Sequence, residues 1–121
     1  MIRDVLDLEV YKDSLRQLRL LYELLKKIPK YEYDTIIQCK KCSKSIPANI
    51  AEGFAKRSSE KEFKRFLKIA IGSSDELITH LRTIAIVIPH LKEETQQLAA
   101  EYKVISKRLT KLHTIWKSSS F

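Results

Sequence analysis

Apolar residues in this chain recur at alternating spacings of three and four, the period of a helix buried along one face, rather than at the spacing of two shown by a half-buried strand. Tyr11, Leu15, Leu18, Tyr22 and Leu25 form one such row, flanked by Leu21, Leu24 and Ile28, so the first helix has a face wide enough for the inside of a bundle. Asp7 is its expected N-cap and Pro29 its stop, with Lys30 to Asp34 as loop and Asp34 as the next cap. The second row is Ile36, Cys39, Ser43, Ile46 and Ile50, whose small residues let a neighbouring helix come close. Pro47 lies inside this helix and predicts a bend, while Gly53 is expected to close it in the left-handed conformation with Phe54 folding back.

Ser59-Glu-Lys-Glu62 reads as a capping box that opens the third helix. Phe63, Phe66, Leu67, Ala70, Ser74, Leu77, Leu81, Ile84 and Ile88 then hold one face for almost eight turns, and Pro89 ends the run. Leu98, Tyr102, Ile105, Leu109, Leu112 and Trp116 give a fourth helix, followed by Ser118 to Phe121 as a frayed tail. These rows predict an all-α fold, an up-down-up-down antiparallel four-helix bundle, with helices over about residues 8–28, 35–52, 60–88 and 92–116 of a single domain spanning 1–121.

Composition agrees, since two glycines and three prolines in 121 residues leave little material for hairpin turns. No apolar run approaches the roughly 20 residues of a membrane span, and the first residues lack the apolar core of a signal peptide, so a soluble cytoplasmic protein is expected. The two cysteines, three apart on one helix, suit a reducing compartment better than a disulfide framework.

Charge adds a functional expectation. The formal net charge is +8, and it is uneven: residues 35–71 carry nine basic against three acidic side chains, and residues 102–121 carry five against none. On the third helix Lys61, Lys64, Arg65 and Lys68 turn away from Phe63, Phe66 and Ala70, and Lys56 and Arg57 extend them. Together with Lys41, Lys44, Lys103, Lys107 and Lys111 they suggest a basic rim that binds phosphates without reading bases. The bland counterpart is a solvated helix face. Ala48, Glu52, Gly72 and Glu76 also point away from the predicted seam, and Ile86 and Val87 make the end of the third helix apolar all round, so these six residues are expected to meet another subunit.

The run Ser45-Ile-Pro-Ala-Asn-Ile-Ala-Glu-Gly53, followed by Arg57, Ser59, Glu62-Phe63, Phe66-Leu67, Ile69-Ala-Ile-Gly-Ser73 and Glu76-Leu77, resembles the four-helix bundle proteins also known as 23S rRNA intervening-sequence proteins. Asp7-Leu-Glu-Val10 before Tyr11 resembles the opening of the same family, and Cys39-Lys-Lys-Cys42 departs from its usual arginine and small residues. The resemblance implies a homo-oligomeric ring, commonly a pentamer, without enzymatic activity. Related accessory proteins of diversity-generating retroelements have this architecture, and there the ring is thought to bind nucleic acid and a reverse transcriptase.

Other chemistry is poorly supported. Cys39-x-x-Cys42 has the spacing of half a zinc site, but no second pair follows at finger spacing. Glu76 and His80 are four apart, whereas a di-iron bundle needs two Glu-x-x-His motifs and two further glutamates. With no nucleophile grouping or phosphate loop either, the sequence predicts no enzyme, no cofactor and no metal. The leading expectation is an oligomeric bundle whose basic surface binds RNA or DNA. Its rival is an oligomeric scaffold that binds only protein, and a metal bundle using Cys39, Cys42 or His80 comes third.

Overall fold

Each of the four periodic stretches becomes a helix in the computed structural model, which describes residues 2–118. They are α1 (Glu9–Leu25), α2 (Tyr33–Ala55), α3 (Glu60–Val87) and α4 (Lys92–Ile115). Short 3-10 turns at Val5–Asp7, Lys30–Glu32 and Pro89–Leu91 supply the approaches to α1, α2 and α4. At 1.5 Å per residue the 28 residues of α3 span about 42 Å, the longest element. Among the described residues there is no strand, and no helix is long and apolar enough to cross a membrane.

Contacts between helices fix their directions. Cys42 meets Glu76, Ser45 meets Ser73 and Phe54 meets Phe63, so residue numbers rise along α2 as they fall along α3. Tyr102 and Ser106 meet Ser74 while Trp116 meets Phe63, which gives α3 and α4 the same opposed sense. Ion pairs of Asp13 with Arg108 and of Lys27 with Glu94 do likewise for α1 and α4. Since α1 packs on α2 and α4, and α3 packs on the same two, α1 stands diagonally opposite α3 and α2 opposite α4.

The predicted rows of α2, α3 and α4 line this core. Cys39, Ser43, Ile46 and Ile50 are buried from α2, all nine row residues from α3 and its end are buried, and Leu98, Tyr102, Ile105, Leu109 and Trp116 are buried from the α4 stretch. Truncating Ile50 or Leu81 to alanine would leave a cavity costing roughly 2–5 kcal/mol. Helix α2 runs unbroken through Pro47. Three buried serine hydroxyls find acceptors: Ser14 and Ser43 donate to the carbonyls of Tyr11 and Lys40 on their own helices, and Ser74 donates to that of Tyr102 on α4.

Several local expectations are corrected. The buried face of α1 is Val10, Ser14, Leu21, Leu24 and Leu25, while Leu15 is 40% exposed. Asp7 does not cap α1. It closes a capping box with Asp4 around the preceding 3-10 turn, and Leu8 occupies the N-cap of α1. Asp34 sits inside the first turn of α2, whose N-cap is Glu32. Gly53 does not terminate α2 in a left-handed conformation, because the helix continues to Ala55 and no glycine has positive φ. It is buried instead where α2 crosses α3. Ser59 accepts from the Glu62 N–H as predicted, but the Glu62 carboxylate turns to Arg65 rather than back to the cap. Ser118 is tied down, its hydroxyl donating to the Arg57 carbonyl and its N–H to Glu60. The remainder of the expected tail, Ser119 to Phe121, lies outside the described residues.

Candidate nucleic-acid interface

The end of the bundle where α2 stops, α3 starts and α4 stops is built on aromatic rings. Phe63 is packed edge-on by Phe54 at 6.0 Å and by Trp116 at 4.7 Å between ring centroids. Charged side chains stack over the outer rings: the Arg57 guanidinium lies 4.1 Å from the centre of Phe54, and Lys56 and Arg65 lie 4.8 and 4.3 Å from that of Phe66. Arg57 is held further by donating to the Phe54 carbonyl at 3.1 Å. The sequence therefore fixes the bases of these cations through helix spacing and their heads through ring faces.

One turn into α3 the lysines turn towards α4. Lys64 and Lys68 stand close enough to His113 to disfavour its protonation, and partial burial, the larger cause, pushes its pKa below the ordinary imidazole value. Further along, Lys103 and Lys107 line a shallow groove between α3 and α4 with Ile71, Asp75, Ser106 and Thr110. Lys61, Lys68, Lys103, Lys107 and Lys111 are exposed and have no carboxylate within 4.0 Å among the described residues, whereas Lys64 is half-buried and pairs with Glu60 at 3.5 Å. Arg65 pairs with Glu62 at 3.0 Å, so its charge is already partly spent locally. The Glu60 carboxyl is held below its usual value chiefly by the Ser118 N–H, with Lys64 and Lys117 nearby.

The expected rim is thus divided by the fold. Lys44 lines the α1–α2 groove with Leu18, Arg19, Tyr22 and Glu23, and Lys41 is exposed on the same helix. That groove is on the side of the bundle opposite the α3–α4 groove. Sequence reasoning missed His113 and Lys117, which periodicity assigned only to the end of the fourth helix. Their neighbours become visible only once the register of α4 against α3 is known.

All six residues expected at a subunit contact, Ala48, Glu52, Gly72, Glu76, Ile86 and Val87, are exposed. Ile86 is 76% exposed, although Ile84 and Ile88 around it are buried. A side chain at Gly72 would meet nothing within 4 Å. Glu76 is engaged within the chain, accepting from Cys42 Sγ at 3.1 Å and bonded to His80 Nε2 at 3.2 Å. Those two bonds, that from Cys42 foremost, hold its carboxyl below the ordinary value.

Among curated proteins none matches the sequence. The model of one family, the 23S rRNA-intervening sequence proteins, matches residues 6–111. With four helices joined in the predicted order and that match running from before α1 to near the end of α4, the chain belongs to the 23S rRNA-intervening sequence protein family.

Proposed function

We propose that the protein is a non-catalytic, homo-oligomeric, cytoplasmic four-helix bundle that binds the backbone of RNA or DNA along its α3–α4 side. The reading rests on one observation above the others: Lys68 of α3 and Lys103 and Lys107 of α4 are exposed, have no carboxylate partner among the described residues, and border the same side of the bundle. Together with Lys61 and Lys111 they make five lysines without an acidic partner among the described residues, which offer phosphates a charge that is not already neutralised, and binding would release the counterions condensed on the nucleic acid. Lys56, Arg57 and Arg65, stacked on aromatic rings, widen that surface at the end of the bundle. Contacts of this type set affinity and orientation without selecting bases.

Oligomerisation would multiply a weak site by repetition. Gly72, with open space above it, and the exposed apolar pair Ile86 and Val87 are the residues proposed to meet the next subunit, with Ala48, Glu52 and Glu76 on the α2–α3 side. The same apolar pair favours the second reading, an oligomeric scaffold that binds only protein.

Charge reversal separates the two. Lys61→Glu, Lys64→Glu and Lys68→Glu together should abolish binding to labelled structured RNA and duplex DNA at low salt, while Lys41→Glu with Lys44→Glu, on the opposite side, should weaken it only slightly. Equal losses from both sets would overturn the assignment to the α3–α4 side, and no binding by the unmodified protein would leave the scaffold.

A further inference from the structure

Cys42 on α2 and Glu76 and His80 on α3 are brought together by the opposed register of the two helices. Glu76 and His80 are one turn apart, so both side chains project from the same face of α3. Three residues along α2 from Cys42, the Ser45 and Ser73 hydroxyls bond at 2.8 Å, and Asn49 donates to the Ser45 hydroxyl at 2.9 Å, which pins the helices beside the cluster. Cys42 Sγ lies 3.1 Å from Glu76 Oε2, His80 Nε2 lies 3.2 Å from the same oxygen, and one ligand atom of each residue falls within 4.8 Å of the others.

We propose that Cys42, Glu76 and His80 bind a divalent cation of the zinc class between α2 and α3, with water completing the coordination. A tetrahedral ion with bonds of about 2.3 Å to sulfur and about 2.0 Å to nitrogen and oxygen sets its ligand atoms roughly 3.3–3.6 Å apart. The two short separations, 3.1 and 3.2 Å, fall just below this range, and small side-chain adjustments bring all three ligand atoms to it. Glu76 and His80 have side chains 56% and 25% exposed, so the ion has a route in from solvent and a side of the site open to water. A thiolate and an imidazole beside one carboxylate favour zinc or its congeners over magnesium or calcium, which take oxygen ligands.

The Cys-x-x-Cys spacing is not the basis of the site. Cys39 is fully buried, and burial alone pushes its thiol up to about 12, whereas Cys42 lies at the edge beside Glu76. In the metal-free chain burial and then the adjacent carboxylate push the Cys42 thiol up to about 12, so it is a neutral donor to Glu76. Metal binding replaces that shared proton: the thiol proton leaves to solvent, and sulfur and carboxylate oxygen both turn to the cation. The site does not require the α2–α3 side to meet a second subunit or the α3–α4 side to bind nucleic acid.

The test is titration of the full chain with cobalt(II) alone, followed by optical absorption, with zinc added to displace it. One cobalt per chain, a thiolate-to-cobalt charge-transfer band and loss of that band on adding zinc are expected. Cys42→Ser should abolish the band and Cys39→Ala should leave it. His80→Gln, at a partly exposed position that does not threaten folding, should weaken binding about tenfold or more and cancel the rise in thermal midpoint that zinc gives the unmodified chain. Absence of a charge-transfer band at saturating cobalt, its survival in Cys42→Ser, or unchanged affinity in His80→Gln would each overturn the proposal.

Discussion

Gly53→Ala probes the closest approach of two helices in the bundle. The glycine has ordinary right-handed backbone within α2, so propensity alone would make alanine better there by about 1 kcal/mol. The added methyl group, however, would stand 2.6 Å from Cβ of Phe66, 3.1 Å from the Phe63 ring and 3.3 Å from the Phe63 carbonyl oxygen. Carbon atoms in favourable contact lie about 3.5–4.0 Å apart, so α2 and α3 would have to separate locally by roughly 1 Å. Phe66 Cβ is attached to the α3 backbone and has no rotamer that removes it. Phe63 is fully buried between Phe54 and Trp116 and has no room to yield. Overpacking of this kind costs about 1–3 kcal/mol, and subtracting the propensity gain leaves a destabilisation of up to about 2 kcal/mol. Urea unfolding followed by circular dichroism, at one fixed protein concentration, should show a lower midpoint with an unchanged slope. The thermal midpoint should fall by roughly 3–5 °C for each kcal/mol in a chain of this size. A variant more stable than the parent, showing the propensity gain of about 1 kcal/mol uncancelled, would refute the argument that close packing rather than helix termination explains this glycine.

Three further outcomes follow from the same geometry. Tyr102→Phe should be neutral or stabilising by up to about 1 kcal/mol in thermal unfolding, because the fully buried Tyr102 hydroxyl has no hydrogen-bond partner among the described residues; a clear loss of stability would mean that the hydroxyl is satisfied. Gly72→Ala gains about 1 kcal/mol of helix propensity in open space within one chain, yet should reduce the mass seen by light scattering if that face meets a second subunit. An oligomer of unchanged mass and higher melting point would remove Gly72 from the contact. His113 has a depressed pKa in the folded chain, so the unfolded chain takes up the proton first as pH falls. Stability attributable to this group is therefore present above the ordinary imidazole value of 6.5 and declines as pH drops through 6.5 towards the lower folded value. His113→Gln should flatten that decline in unfolding measurements, and a bound polyanion between Lys64 and Lys68 should raise the His113 pKa seen by proton magnetic resonance. A nucleic acid that leaves this titration unmoved would argue against binding beside those lysines.

The fold was legible wherever one face alone was apolar. Helix α3 holds a single row from Phe63 to Ile84, and α4 from Leu98 to Leu109, so period and phase both read correctly. Helix α1 offers two adjacent apolar rows, and its buried row contains Ser14, a residue that a count of apolar positions discards. The hydroxyl of Ser14 is satisfied by the Tyr11 carbonyl, which lets a polar residue sit inside. Gly53 misled for a related reason: its conformational freedom suggests a stop, while its lack of a side chain suits a crossing, and only the position of Phe66 distinguishes these roles.

Site chemistry was less legible because it depends on register between helices. The lysines of α3 were visible as an arc on one helix, but their approach to His113, and the separation of Lys44 from Lys103 and Lys107, follow from which helices are neighbours. Cys42 and His80 stood as fragments of two incomplete motifs. The antiparallel alignment of α2 on α3 joins them through Glu76.

Salt dependence of nucleic-acid binding, with light scattering on the same samples, tests the central claim most directly. An oligomer should bind duplex DNA and structured RNA at low salt, with log affinity on duplex DNA falling linearly against log salt at a slope of about −0.9 per phosphate contacted. The slope should drop in the triple Lys61, Lys64 and Lys68 reversal. A monomer, or an oligomer that binds neither nucleic acid at low salt, would contradict the account.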